Sequence, residues 1–154
     1  MVDAVLYVSR STIPEAGAVE QFMDIKFTSL ARNSALDLTG FLIATPVYFA
    51  QFLQGKGSSL GCVMQSIRRD ERHTEIDEAP LLHFDELLFP RWQTGWFGPG
   101  SFTHNYVERL LGECHGHLAE QGAAALLRSM KTILPAGTSR PFCRHSFAKL
   151  CKFV

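Results

Sequence analysis

No apolar run among the 154 residues approaches the ~20 needed to cross a bilayer. The opening Met1-Val2-Asp3-Ala4 carries an acid where a secretory leader would be positive, so a cytoplasmic protein without membrane contact is expected. Net charge is absent as well. Fifteen Lys/Arg balance fifteen Asp/Glu, which removes the field that would gather nucleic acid. Cysteine is scarce. Cys62, Cys114, Cys143 and Cys151 contain no C-x₂₋₄-C pair, which argues against a disulfide framework and a structural zinc turn. Cys114-His115-Gly116-His117 and Cys143-Arg144-His145 could supply the four ligands of a zinc site only on paper, and no metal is expected. Glycine is missing from Ser9-Arg10-Ser11-Thr12 after the first strand, so no anion-wrapping loop favours a phosphate-handling enzyme. An RNP-type aromatic strand for RNA is missing too.

Apolar residues are plentiful. They make up 46% of the chain against 19% charged, enough to build one domain core. Residues 2–9 read as a strand too apolar for a one-sided edge. Residues 18–33 read as a helix, with Val19, Phe22, Met23, Phe27, Leu30 and Ala31 at three- and four-residue spacing. Strands over 38–45 and 48–54 are joined by Thr45-Pro46-Val47, too tight for anything but an antiparallel hairpin. Ser58 or Ser59 caps a second helix that runs to Arg69 and buries Val63, Met64 and Ile67. A fourth strand is expected near 79–88 and a short fifth over 92–97.

This β-α-β-β-α-β order plus one strand predicts an α+β, ferredoxin-like sandwich with both helices on one face. Phe97-Gly98-Pro99-Gly100-Ser101 interrupts regular structure and divides a module, 1–98, from an extension, 99–154. The extension has helical periodicity in Val107, Leu110, Leu111, Leu118, Leu126, Leu127 and Ile133, with a break expected at Gly122. It ends in a basic tail carrying Arg140, Arg144, Lys149 and Lys152 without an acid. Such a plan hosts many activities, so function has to come from particular residues.

Polar chemistry stands inside the apolar strands. Tyr7 lies within Val5-Leu6-Tyr7-Val8, and Gln51 within Phe49-Ala50-Gln51-Phe52-Leu53, where an amide needs partners for both donors and acceptor. Asn33 closes the first helix. Each alone has an ordinary reading, as core aromatic, satisfied strand amide and helix C-cap. Together they belong to a series: Leu6-Tyr7-Val8-Ser9, Ala31-Arg32-Asn33, Leu38-Thr39-Gly40-Phe41-Leu42, Phe49-Ala50-Gln51-Phe52-Leu53-Gln54-Gly55, Ile67-Arg68-Arg69-Asp70-Glu71-Arg72-His73 and Phe89-Pro90-Arg91-Trp92. Over residues 2–97 this series resembles the BLUF family, blue-light sensors that bind flavin.

The resemblance implies a non-covalent flavin, FAD with FMN as the alternative, whose ring lies between the two helices. Ile25 and Ile67 would sandwich it, Asn33 would bond its imide edge, Ser29 would lie near the ribityl chain, and Phe49 belongs to the same cofactor-binding set. Arg72 and His73, closing the second helix, would approach the ring edge or the phosphate side; a dipole-favoured charge pair is the plain alternative. Tyr7 would donate an electron and then its proton. Gln51, donor and acceptor at once, would reverse its hydrogen bonding, which neither a carboxylate nor a lysine could do. Trp92 would lie on the strand that carries the signal.

Three positions depart from the family pattern: Gln54 stands for Glu, Thr94 for Met, and Ser66 for Arg or His. The chain is expected not to be an enzyme. It would signal through a downstream protein, with self-association into a homo-oligomer, by way of the last strand or the C-terminal helices. The competing readings are a ferredoxin-like interaction module, or a phosphate-handling enzyme, without flavin photochemistry.

Overall fold

A computed structural model describes residues 1–133. Six strands form one sheet: β1 (Val2–Ser11), β2 (Thr39–Ala44), β3 (Tyr48–Gly55), β4 (His73–Glu78), β5 (Leu82–Phe84) and β6 (Trp92–Trp96). Its order is β4-β1-β3-β2-β6, with β5 also on β1. All neighbours are antiparallel except β2 and β6. Helices α1 (Ala18–Ala35) and α2 (Gly57–Arg69) lie on one face, and α3 (His104–Cys114) and α4 (Glu120–Ile133) on the other. The ferredoxin-like α+β plan is therefore present, with the extension completing a second layer.

Strand alternation sends side chains to opposite faces. In β3, Phe49, Gln51 and Leu53 face α1 and α2, while Ala50 and Phe52 face α3 and α4. The β2–β3 hairpin closes at Thr45, whose hydroxyl accepts from the Val47 and Tyr48 amides at 3.2 and 3.0 Å. Gly40 admits no other residue: φ is +147° and a Cβ would strike the Phe52 carbonyl. The α3–α4 pair is tied to β4 as well as to the sheet face. Asp77 accepts from the Leu118 amide at 3.1 Å, and a His115 ring nitrogen meets the Glu75 carbonyl at 2.7 Å.

Five sequence expectations need correction. Of the strand expected over 79–88 only Leu82–Phe84 forms, as β5, and the strand directly after α2 is His73–Glu78. Arg72 and His73 do not close α2, which stops at Arg69; Arg72 lies in the turn and His73 opens β4. Neither Ser58 nor Ser59 caps α2, because the helix already begins at Gly57 with Lys56 as N-cap. The extension breaks at 115–119, where Gly116 adopts φ +79°, while Gly122 sits inside α4 against the His117 carbonyl. On α1, Val19 (52% exposed), Met23, Phe27 (60%) and Leu30 face outward. Its buried side is Ala18, Phe22, Ile25, Ser29 and Asn33.

Candidate functional site

That mixed buried side of α1 forms one wall of a cavity. Ile25, Thr28, Ser29 and Arg32 from α1 face Ser66 and Ile67 from α2, over a floor of Tyr7, Gln51 and Leu42, with Asp70, Arg72 and His73 at one end. Tyr7 and Gln51 are register partners on β1 and β3, and the Tyr7 hydroxyl donates to Gln51 Oε1 at 3.0 Å in the buried interior. The same register row continues through Leu42 on β2 to Thr94 on β6.

Burial drives the Tyr7 phenol well above its ordinary pKa; Arg32 opposes this, and Asp70 and Glu78 add to it. The phenol is thus a neutral donor. Burial also lowers His73 to about 4, with Asp70 pulling it up and Arg72 pushing it down. The neutral ring is bonded to Ser9 Oγ at 2.9 Å. It stands edge-on to Tyr7 at 6.1 Å and against Phe49 at 4.4 Å. Burial pushes the Asp70 carboxyl up, but hydrogen bonds from the Arg72 side chain and amide outweigh it, so Asp70 lies below its usual range.

Two bridges join the walls. Arg72 holds Asp70 at 2.7 Å and reaches Asp24 of α1 at 2.9 Å. Arg32 donates to Ser66 at 2.7 Å, from α1 to α2.

Of the expected site residues, Tyr7, Ile25, Ser29, Gln51, Ile67, Arg72 and His73 all line this cavity. Asn33, Phe49 and Trp92 do not. Asn33 is fully buried one turn beyond Ser29, and both its Nδ2 and Oδ1 lack a partner. Phe49 backs His73. Trp92 opens β6, buried in the cluster that contains Tyr7, Ile25 and Ile67, with its indole N–H unpaired. Arg32, Thr28, Asp70 and Leu42 were missed as site residues. The first three sit on or beside helices, where polar groups read as solvated surface, and Leu42 reads as core.

Among the described residues no three His, Cys, Asp or Glu gather as a metal site. Cys143, His145 and Cys151 lie outside the described residues, as does the basic tail. No described helix is long and apolar enough to cross a membrane.

The family model of BLUF, sensors of blue-light using FAD, matches residues 2–95. The chain belongs to the BLUF family. Its BLUF region is 31% identical over 68 residues to the photoactivated adenylate cyclase subunit alpha of Euglena gracilis. That match takes in 44% of this chain and only 7% of the cyclase subunit. Among solved structures, the dark state of the BLUF protein BlrB superposes with a TM-score of 0.70 at 24% identity, over 86% of this chain and 97% of that one. The photo-activated state of BlsA gives 0.69 at 21%, over 92% and 100%. These two likenesses are of fold.

Proposed function

We propose that this BLUF protein senses blue light by holding FAD between α1 and α2, and answers by rearranging the Tyr7–Gln51 hydrogen bond. The carrying observation is that bond: a buried, neutral phenol 3.0 Å from a rotatable amide on a cavity floor. The residues fit a flavin. Ile25 and Ile67 offer apolar walls to a flat ring, and the orphaned Asn33 amide, one turn beyond the lining, would offer its donor and acceptor to an imide edge once loading widens the cavity. The cavity encloses about 120 Å³, below the ~300–1,000 Å³ usual for such sites. Loading is expected to widen the space between the two helices, which Arg32 and Ser66 tie together.

Flavin supplies absorption of blue light and an oxidising excited state. With flavin bound, Tyr7 would donate an electron and its phenolic proton and regain both before the lasting state forms, so that the flavin would end oxidised with only its hydrogen bonding changed. Burial keeps the phenol protonated at rest. Gln51 accepts from Tyr7 through Oε1 and retains an NH₂ group for a second partner. Inverting or tautomerising the amide exchanges those roles, which changes what the phenol and the cavity's upper neighbour experience. His73, neutral and bonded to Ser9, braces the far side of the Tyr7 ring without competing for its proton.

The reading assigns sensing to 1–98 and output to protein contact, not to catalysis, through β6 and the extension 99–154. A downstream protein or a second copy is the receiver. Among the described residues no cysteine lines the cavity, and a reversible response free of a thiol adduct is expected.

The test is the visible spectrum before and after blue light. The parent should purify with oxidised flavin and show a reversible red shift. Tyr7→Phe and Gln51→Ala should both keep the flavin and lose the red-shifted state. A normal, slowly reverting shift in both variants would refute the relay.

A further inference from the structure

The chain between β5 and β6 crosses the whole sheet, since β5 pairs with β1 and β6 with β2. It passes on the α3–α4 side, where Leu88 and Phe89 join the apolar core. Residues 85–91 belong to no strand, so their buried backbone groups need other partners. Gln54 supplies them. It stands on β3, the central strand, 0% exposed and three residues beyond Gln51. Its Oε1 accepts from the Leu88 amide at 2.6 Å and its Nε2 donates to the Glu86 carbonyl at 3.3 Å. The side-chain amide thus does for the crossover what a neighbouring strand would do. Four residues after Leu88 the chain enters β6, and the Gly40 amide bonds the Arg91 carbonyl at 3.4 Å.

We propose that Gln54 is a positioning residue. It fixes the crossover and, through it, the placement of Trp92 and Thr94 on β6. It thereby joins the strand that bears Gln51 to the strand that leads into α3. The inference for the light response rests on the photoreceptor reading; the placement of β6 does not. Both hydrogen bonds are made at any pH because an amide carries donor and acceptor together. A carboxylate at this position could accept from Leu88 but would set an oxygen against the Glu86 carbonyl. A protonated carboxyl would restore the donor.

The experiment follows the Trp92 indole N–H resonance in the flavin-loaded full chain, assigned with Trp96→Phe, from pH 5 to 8 in the dark. In the parent it should not titrate. In Gln54→Glu it should match the parent at low pH and move away as the buried carboxyl ionises, well above the ordinary ~4.3. In Gln54→Met, neutral and of similar length, it should be displaced at every pH. Under blue light, Gln54→Met should keep the red shift yet lose more than half of the light-induced change at Trp92. A Trp92 resonance that is parental in both variants throughout overturns the positioning role. An undiminished light-induced change overturns its part in signalling. A parent with no red shift overturns the photoreceptor reading alone, since the titration at Trp92 still decides what Gln54 does.

Discussion

The two faces of the sheet are built to different rules. Under α3 and α4 the packing is almost wholly apolar, from Leu6, Val8 and Phe52 to Leu126, Leu127 and Met130, and the one buried amide of β3 there, Gln54, is satisfied at both ends. Under α1 and α2 the same strands present Tyr7 and Gln51, the helix presents Ser29 and Asn33, and the Asn33 amide and Trp92 indole have no partner. Burying a polar group unpaired costs about 1–3 kcal/mol, and such groups also occur on the α3–α4 side, at Thr39 Oγ1, Ser101 Oγ and Glu108 Oε2. What sets the α1–α2 face apart is the cavity floored by Tyr7 and Gln51.

The contrast can be broken most forcefully at Phe52, which packs on Phe84 and Phe89 at 5.7 and 5.5 Å. Phe52→Ala should lower unfolding stability by about 3–5 kcal/mol in urea titrations. A loss under 1 kcal/mol would mean that the face is not the stabilising one.

The next effect is pH-dependent and belongs to the other face. Burial lowers His73 from its ordinary 6.5 to about 4 in the folded chain, so between those values the unfolded chain binds more protons. Stability should therefore be full above pH 6.5 and fall by about 2–3 kcal/mol toward pH 4. Asp70 and Arg72, which face the ring, shape this window, and His73→Gln should flatten it in urea titrations at pH 7, 5.5 and 4.5.

Asn33→Ala sharpens the comparison directly. Apoprotein stability should change by less than about 1 kcal/mol, because the lost amide was unpaired, while flavin release quickens about tenfold. An apoprotein weakened as much as by Phe52→Ala would erase the distinction between the faces.

The smallest effect is expected at the Arg32–Ser66 bridge, an exposed bond. Ser66→Ala should alter stability by less than about 0.5 kcal/mol and speed uptake of added FAD by the apoprotein a few-fold, read by stopped-flow fluorescence.

Patterns of burial were legible where burial is apolar. The apolar runs of β1 and β3, the Thr45-Pro46-Val47 turn and the α2 stripe all announced themselves. Edge strand β4 did not: His73-Thr74-Glu75-Ile76-Asp77-Glu78 has one aliphatic residue, and it is held by backbone pairing to β1. The outer stripe of α1 misled for the same reason inverted. Val19, Met23, Phe27 and Leu30 keep helical spacing, but the side turned inward carries Ser29 and Asn33, which hydropathy ranks as surface. Tyr7 and Gln51 were visible as polar interruptions of apolar strands. Arg32 and Asp70 were not, since charged residues on or beside helices look alike whether they meet solvent or a cavity.

The interior place of β1, with β3 on one side and β4 and β5 on the other, also governs how the chain comes together in time. Its partners β3, β4 and β5 all lie downstream, the nearest pairing Arg10 with Tyr48 and the farthest Val2 with Phe84. The β2–β6 pair likewise joins segments about fifty residues apart, Gly40 with Trp92. Such long-range pairing must meet its loop-closure cost before contacts repay it, which places folding in the slow, millisecond-to-second class. A growing chain therefore exposes Val5-Leu6-Tyr7-Val8 unpaired until residue 55 has emerged, and chaperone contact is most needed there. The cavity floor forms when β3 docks on β1, while its helical end must await His73.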